Sequence, residues 1–294
     1  MPGNTKIKDK QQLIAGIVTI MLSVAMLVGA VVCMRRCSAE LPEDSQPSSS
    51  YTDPVATLGP ATVPGPTLAP NPYGPGDFAY NGGYLTCLAG VSHLGVDVSE
   101  YQGRIQWDQV AAEGVDFAMI RIGFRAWGSQ GELREDACWA NNLQGAADAG
   151  LKVGVYFFSQ AVTEAEAREE AQFVLSLLNG TKLDMPVVFD WETVNSEDAR
   201  TNAVTAQTLN ACAMAFCKEI EAAGYTPMVY FNQDLGKRMY DLQNLQDAGY
   251  GFWLAMYSNS MTYPYRLSMW QYASDGSVPG ISGVVDMNLF FTYE

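Results

Sequence analysis

The stretch MPVVFDWETV, residues 185–194, is a short apolar run that ends in two carboxylates, Asp190 and Glu192. Residues 187–189 favour a buried strand, and the proline before them can begin a strand without wasting a ladder donor. Because side chains alternate between the two faces of a strand, Asp190 and Glu192 point the same way and Trp191 points opposite. Two acids on one face of a buried strand end are unfavourable unless water, a partner or a substrate lies there.

The spacing of these two acids suits chemistry on a glycosidic bond. In that reaction one carboxyl group donates a proton, and a second carboxylate stabilises the positive charge that develops on the sugar. A hydrated strand end that carries two ordinary surface acids would give the same local pattern. The rest of the chain has to separate these two interpretations.

Strand-like and helix-like segments alternate after residue 83. This alternation is typical of a parallel sheet, and eight strands predict a TIM-like (β/α) barrel. The last third is too short for complete strand–helix units, so we expect few helices there and an irregular barrel. The strand-like segments are 94–98, 117–122, 153–158, 187–191, 227–231, 252–257, 268–272 and 284–291; the helical ones are 107–113, 136–149, 164–178 and 203–223.

Polar side chains recur near the ends of the predicted strands. In (β/α) barrels the chemistry lies at the C-terminal ends of the strands. Four acids that project toward one mouth are difficult to explain as structural residues, because clustered like charges repel one another. We therefore predict that this end of the barrel is functional. The candidate residues are Asp97, Asp190, Glu192 and Asp286, with Tyr156 and Gln271 beside them.

The first third of the chain has a different composition. Residues 13–32 carry no charge and form about 30 Å of helix, which is enough to cross a bilayer. Three lysines precede this run and favour a cytoplasmic segment at 1–12, followed by a transmembrane helix at 13–33. A cleaved signal peptide is the alternative, and both interpretations place the rest of the chain outside the cytoplasm.

A proline-rich segment follows the apolar run. Residues 40–80 contain nine prolines among Ser, Thr and Gly. Such a composition cannot bury a core and favours an extended, semi-rigid spacer. We therefore predict an extracellular linker at 34–83 and a catalytic domain at 84–294, with the domain held at the cell membrane by a single span.

Charge and residue counts exclude several classes of function. The net charge is −15, and because residues 1–39 carry a net +4, the remainder carries −19. A domain this acidic repels nucleic acid. The single histidine, His93, precedes the first barrel strand, which argues against a nucleophilic triad. The six cysteines form no metal signature, and a Cys87–Cys138 disulfide stays an open possibility.

Five motifs, taken together, resemble glycoside hydrolase family 25, the lysozymes (N-acetylmuramidases) that cut bacterial peptidoglycan. Each motif is weak alone, but they occur in the family's order and span the whole predicted domain. The motifs are GVDVSEYQG (95–103), VGVYFF (153–158), PVVFDWE (186–192), MWQY (269–272) and VDMN (285–288). The resemblance implies a flattened, irregular barrel with an acidic groove at the strand C-termini.

The resemblance also implies a role for each acid. Glu192 matches the family's catalytic acid and Asp190 its partner, while Asp97 and Asp286 match acids of the same pocket. The implied reaction is hydrolysis of the β-1,4 bond between N-acetylmuramic acid and N-acetylglucosamine, without a cofactor or metal. Whether the anomeric configuration is inverted or retained stays open. Two alternatives are a non-catalytic, membrane-tethered peptidoglycan-binding module and a hydrolase of another N-acetylhexosamine polymer such as chitin.

Aromatic residues are the expected sugar platforms, although most aromatics in a barrel belong to its core. We select Tyr156, Tyr257 and Gln271 as substrate-binding residues of the groove. Trp191, which faces away from the acids, is expected to pack in the core.

Overall fold

A computed structural model describes residues 68–293 of the chain. The predicted transmembrane helix at 13–33 and most of the predicted linker lie outside this range. Within residues 68–293, no helix combines the length and the apolar character that a bilayer span requires.

The described chain alternates strands and helices, as the sequence predicted. The strands are β1 (Phe78–Asn81), β2 (Tyr84–Cys87), β3 (Val91–Val98), β4 (Phe117–Arg125), β5 (Leu133–Glu135), β6 (Lys152–Ser159), β7 (Val187–Trp191), β8 (Pro227–Asn232), β9 (Gly251–Ala255), β10 (Met269–Gly276) and β11 (Val285–Thr292). The helices are α1 (Trp107–Ala112), α2 (Trp139–Asp148), α3 (Glu164–Leu178), α4 (Ala206–Ala222), α5 (Gln233–Arg238) and α6 (Leu242–Asp247), with short 3₁₀ turns at Glu100–Gln102 and Arg200–Ala203.

Eight strands form a closed barrel in the order β3-β11-β10-β9-β8-β7-β6-β4, and pairing of β3 with β4 closes it. The short strand β5 adds to β4, and β1 and β2 form a separate hairpin. The predicted eight-stranded barrel is therefore confirmed. The expectation of a parallel sheet is wrong for one strand, because β11 runs antiparallel to both β10 and β3.

Strand β7 shows how the barrel separates its two hydrophobic layers. Val188 faces the interior, where it packs in a cluster with Met119 and Trp253. The alternate residues Phe189 and Trp191 face the surrounding helices. Burial of both faces explains why this strand reads as a continuous apolar run. Trp191 is 1% exposed, so its predicted packing role is confirmed.

Helix α3 covers the outside of the barrel beside β4 and β6. Thr163 caps its N-terminus by accepting a bond from the Glu166 N–H, and Asn179 ends it in a left-handed conformation. Its buried residues Ala167, Ala171, Val174 and Leu178 recur at helical spacing and face the core. The same face carries Glu170, which is fully buried.

Residues 68–83, which the sequence analysis assigned to the linker, pack against the barrel. Pro70 forms an isolated bridge with Tyr265, and the Tyr73 ring lies 5.3 Å from the ring of Phe291. These partners precede β10 or end the antiparallel β11, so they lie at the end of the barrel where the parallel strands begin. Leu68 is 7% exposed. This part of the predicted linker therefore belongs structurally with the domain.

The cysteines of the described range are buried thiols, and Cys87 and Cys138 are not joined by a disulfide. Burial raises the pKa of the Cys212 thiol to about 12 and that of Cys217 still further. These side chains therefore act as small apolar residues of the core.

Candidate active site

Four carboxylates meet at one end of the barrel. Asp97 lies at the end of β3, Asp190 near the end of β7, and Glu192 directly after β7. Asp286 instead lies at the start of β11, and it reaches the same end because β11 runs in the opposite direction. The register pairs Asp286 with Asp97. We call Asp97, Asp190, Glu192 and Asp286 the mouth acids.

Asp97 is held by two amide side chains. Its Oδ2 accepts a bond from Asn288 Nδ2 at 2.7 Å and one from Gln271 Nε2 at 2.9 Å. Burial raises the pKa of Asp97 to about 6, and the bonds from Asn288, Gln271 and Asp286 limit this rise. Asp97 is therefore the ionised member of its pair with Asp286 at neutral pH.

Asp286 is half-buried and forms a side-chain hydrogen bond with Asp97. Burial, followed by the charge and hydrogen bond of Asp97, raises the pKa of Asp286 to about 9. Asp286 is therefore protonated at neutral pH and donates to Asp97. One proton shared in this way relieves the repulsion between two adjacent acids.

Asp190 is 4% exposed, and its Oδ1 has no hydrogen-bond partner among residues 68–293. Burial raises the pKa of Asp190 well above its ordinary value, and the charges of Glu192 and Asp97 add to this rise. The Arg121 guanidinium of β4 opposes it. A buried, unpaired acceptor is unfavourable in a folded protein, so this atom is available to a donor on a bound molecule.

Glu192 is half-buried at the mouth. Burial and, to a lesser extent, the charge of Asp97 together raise the pKa of Glu192 to about 7. Its backbone carbonyl accepts a 2.6 Å bond from Nε2 of the fully buried Gln160, which fixes the chain at this point. A carboxyl group with a pKa near neutrality can donate a proton to a leaving group and take one back.

The three predicted groove residues occupy different positions around the mouth acids. The Tyr156 side chain, on β6, faces the interior and packs edge-on against Trp253. Gln271, on β10, is buried and binds Asp97 directly. Tyr257, after β9, is 51% exposed, and its hydroxyl lies 3.3 Å from Gln271 Oε1. Tyr257 is thus the most accessible of the three to a ligand.

Several polar residues of the site were not selected from the sequence. Arg121 is 9% exposed and binds Asp136 and Glu100 outside the mouth acids. The others line the interior or hold the chain at the mouth: Tyr230, Trp253, Asn288 and Gln160. Side chains two residues apart on a strand face the same side of the sheet. Applied to the mouth acids and to their neighbours on the adjacent strands, this rule could have identified most of these residues, because they face the barrel interior.

A metal site does not form among the described residues. Although four carboxylates lie at the mouth, no group of three His, Cys, Asp or Glu side chains within residues 68–293 is arranged to hold a metal ion. The amide donors of Asn288 and Gln271, the Asp97–Asp286 hydrogen bond and the nearby Arg121 guanidinium offset the charges of the mouth acids.

Neutral and ionised carboxyl groups side by side at a barrel mouth are the groups that hydrolysis of a glycosidic bond requires. Residues 96–281 match the model of the family described as glycosyl hydrolases family 25. This match covers more than half of the chain, and the chain therefore belongs to glycoside hydrolase family 25.

Relatives with this domain include known lysozymes. Lysozyme M1 of Streptomyces globisporus is 28% identical over 209 residues, which are 67% of each chain. The autolytic lysozyme of Clostridium acetobutylicum is 24% identical over 197 residues, which are 67% of this chain and 55% of the relative.

Among solved structures, the modular autolysin LytC of Streptococcus pneumoniae, in complex with a synthetic peptidoglycan ligand, superposes with a TM-score of 0.57 and 27% identity. The superposition covers 68% of this chain and 47% of LytC. This chain thus spans about half the length of LytC and of the Clostridium lysozyme.

Proposed function

We propose that this protein hydrolyses the β-1,4 bond between N-acetylmuramic acid and N-acetylglucosamine in peptidoglycan. The observation that carries the proposal is Glu192, a half-buried carboxyl group at the barrel mouth whose pKa burial raises to about 7. The family to which the chain belongs and the peptidoglycan ligand of the related LytC support the choice of substrate.

In the proposed mechanism Glu192 is the general acid. It is protonated near neutral pH and donates its proton to the glycosidic oxygen as the bond to the leaving sugar breaks. Its position outside the last residue of β7 leaves it half-exposed to the mouth, where a glycan strand can reach it.

Asp190 stabilises the reacting sugar in this scheme. Its unpartnered Oδ1 can accept a bond from the N–H of the sugar's 2-acetamido group, and the nearby Arg121 favours its ionised form. An acetamido group held in this way can present its own oxygen to the anomeric carbon. This route is the substrate-assisted variant of glycoside hydrolysis.

The decisive experiment compares Glu192→Gln with Glu197→Gln in the full-length chain. Glu197 lies on the same segment after β7 and is exposed, so it controls for the substitution itself. Each protein is mixed with purified peptidoglycan, and new reducing ends are counted and identified after borohydride reduction. We expect muramitol from wild type and Glu197→Gln, and a loss of about a hundredfold or more for Glu192→Gln.

Other outcomes would identify a different activity. Glucosaminitol instead of muramitol would mean that the other bond of the polymer is cut. Cleavage of chitin oligomers but not peptidoglycan would indicate a hydrolase of another N-acetylhexosamine polymer. Binding to peptidoglycan without new reducing ends from any variant would indicate a wall-binding module.

We further propose that the protein is a single-pass membrane protein with its hydrolase domain outside the cell. The proposal rests on the uncharged run at residues 13–32 and the three lysines before it. Such a tether raises the effective concentration of the enzyme at the wall without a binding module. Recovery of the full-length chain in the membrane fraction, with protease digestion from outside intact protoplasts, tests this arrangement; a shortened chain in the medium would indicate signal cleavage instead.

A further inference from the structure

Four uncharged side chains of the barrel interior, in two branches, form a hydrogen-bond relay that ends on Asp97. The indole Nε1 of Trp253, on β9, donates to Asn288 Oδ1 at 2.9 Å. The amide Nδ2 of Asn288, on β11, donates in turn to Asp97 Oδ2 at 2.7 Å. Gln271 of β10 donates to the same oxygen, and its own Oε1 accepts from the Tyr230 hydroxyl at 2.9 Å.

The indole fixes the direction of this relay. An asparagine side chain can present either its oxygen or its NH₂ group to a neighbour, but an indole N–H can only donate. The Asn288 oxygen must therefore face Trp253, and the NH₂ group must face Asp97. A donor aimed at a carboxylate favours its ionised form. Without the indole N–H, the amide could turn and bring its oxygen to Asp97, which would favour the protonated form.

The relay is one of several influences on Asp97, because ionisable groups from most of the barrel face it. Burial favours a neutral Asp97, whereas the hydrogen bonds from Asn288, Gln271 and Asp286 favour the ionised form. The other ionisable groups that interact with Asp97 are Tyr156 of β6, Asp190 and Glu192 at the end of β7, Tyr230 of β8 and Tyr257 after β9, and Arg121 of β4 acts on Tyr156 and Asp190.

We propose that Trp253 is a positioning residue, whose indole N–H holds the Asn288 amide so that Asp97 stays the ionised carboxylate among the mouth acids. The consequence for catalysis rests on the proposed function: a fixed negative charge on Asp97 keeps the proton on Glu192, the proposed acid. Trp253 would then set the pH range of the reaction although it belongs to the packed interior and is 1% exposed.

The test replaces Trp253 by Phe in the full-length chain and compares it with Trp270→Phe. Trp270 is fully buried, and its Nε1 donates to the Met256 carbonyl at 2.7 Å, but its ring lies in the outer layer away from Asp97. The two substitutions thus remove the same ring and the same kind of donor. Because a less ionised Asp97 lets Glu192 lose its proton more readily, we expect the descending limb of the kcat/KM profile to move down by up to about one pH unit for Trp253→Phe and to stay in place for Trp270→Phe.

A second readout does not depend on catalysis. Carbon-13 NMR of labelled aspartate carboxyl groups follows the titration of Asp97 directly, and the spectrum of Asp97→Asn identifies its signal. We expect the Asp97 titration to move to higher pH in Trp253→Phe alone. An Asp97 titration that stays unchanged in Trp253→Phe, or that moves equally in both tryptophan variants, would overturn the proposal.

The two readouts also separate this proposal from the proposed hydrolase activity. If the Asp97 titration moves only in Trp253→Phe and no protein releases reducing ends, the relay stands and the hydrolase assignment fails. Where Phe leaves a packing defect, replacing Trp253 by benzothienylalanine keeps the fused rings and removes only the N–H donor. The same shift from that residue supports the relay, and no shift overturns it.

Discussion

The barrel contains two groups of buried carboxylates, and they are compensated in different ways. Outside the barrel, Glu170 of α3 accepts bonds from Arg125 Nε at 2.7 Å and from the Ser159 hydroxyl at 2.6 Å, so both of its oxygens are satisfied. At the mouth, Asp190 Oδ1 has no partner among the described residues, and Asp97 shares a proton with Asp286.

The difference separates a structural acid from a functional one. Burial raises the pKa of Glu170 to about 7, as it does for Glu192, so burial alone does not distinguish the two. The distinguishing feature is a hydrogen-bonded cation: Arg125 binds Glu170 directly, whereas Arg121, the guanidinium nearest the mouth acids, binds Asp136 and Glu100 instead. Unsatisfied acids reduce stability and are retained where a substrate uses them.

The largest effect on stability is expected from removing Arg125, the cation that binds Glu170. Arg125→Met leaves Glu170 buried without its partner, and we expect the free energy of unfolding to fall by about 3 kcal/mol at pH 8. Urea denaturation measures this change. Adding Glu170→Gln to Arg125→Met should recover part of the loss; a double variant less stable than the single one would contradict this interpretation.

Substitution of a mouth acid should affect stability in the opposite direction. Asp190→Asn removes a buried carboxyl group that no cation hydrogen-bonds, so we expect the free energy of unfolding to stay the same or rise while kcat falls about a hundredfold, or about 2.7 kcal/mol. Parallel denaturation and reducing-end assays test both parts. A loss of stability comparable with that of Arg125→Met would mean that Asp190 is a structural acid.

The pH dependence of stability gives a further contrast. In the folded protein the pKa values of Asp97, Glu192 and Asp286 are raised to about 6, 7 and 9, so the folded state binds more protons than the unfolded state between pH 4 and pH 9. Their contribution to stability is therefore complete below pH 4 and is lost as the pH rises through this range. Asp286→Asn should flatten the decline by up to about 1 kcal/mol per pH unit, measured by denaturation at several pH values. An unchanged slope would show that Asp286 does not hold the proton.

The smallest effect is expected at an exposed ion pair. Arg168 and Glu164 pair at the i,i+4 positions of α3, and both side chains are about half-exposed. Because solvent screens such pairs, Arg168→Ala should change the free energy of unfolding by less than about 0.5 kcal/mol. A loss near that of Arg125→Met would show that burial is not what separates the two pairs.

The sequence predicted the eight barrel strands because each is a short apolar run bounded by polar or glycine-containing segments. Strand β7 and helix α3 were located to the residue, since their ends carry strong local signals in Pro186, Thr163 and Asn179. The reversal of β11 was missed, because direction is set by pairing with β3 and not by local sequence. The glycines at 276, 280 and 283 do indicate a turn without a helix before β11.

The polar interior was only partly predictable. Acids draw attention because their burial is unfavourable, so Asp97 and Asp286 could be selected, whereas Asn288 and Trp253 are residue types that occur in many ordinary cores. Their contacts join β9 to β11 and β11 to β3, and such partners become neighbours only when the barrel closes. The packing of residues 68–83 was missed because proline content was taken as evidence of a linker.

The packing of Pro70 and Tyr73 shows at which end of the barrel this N-terminal segment lies. The chain enters at the end of the barrel where the parallel strands begin, and the mouth acids lie at the far end. The two ends of the barrel therefore differ in what they carry: residues 70–73 occupy one end, and a ligand can approach the mouth acids at the other without meeting this segment.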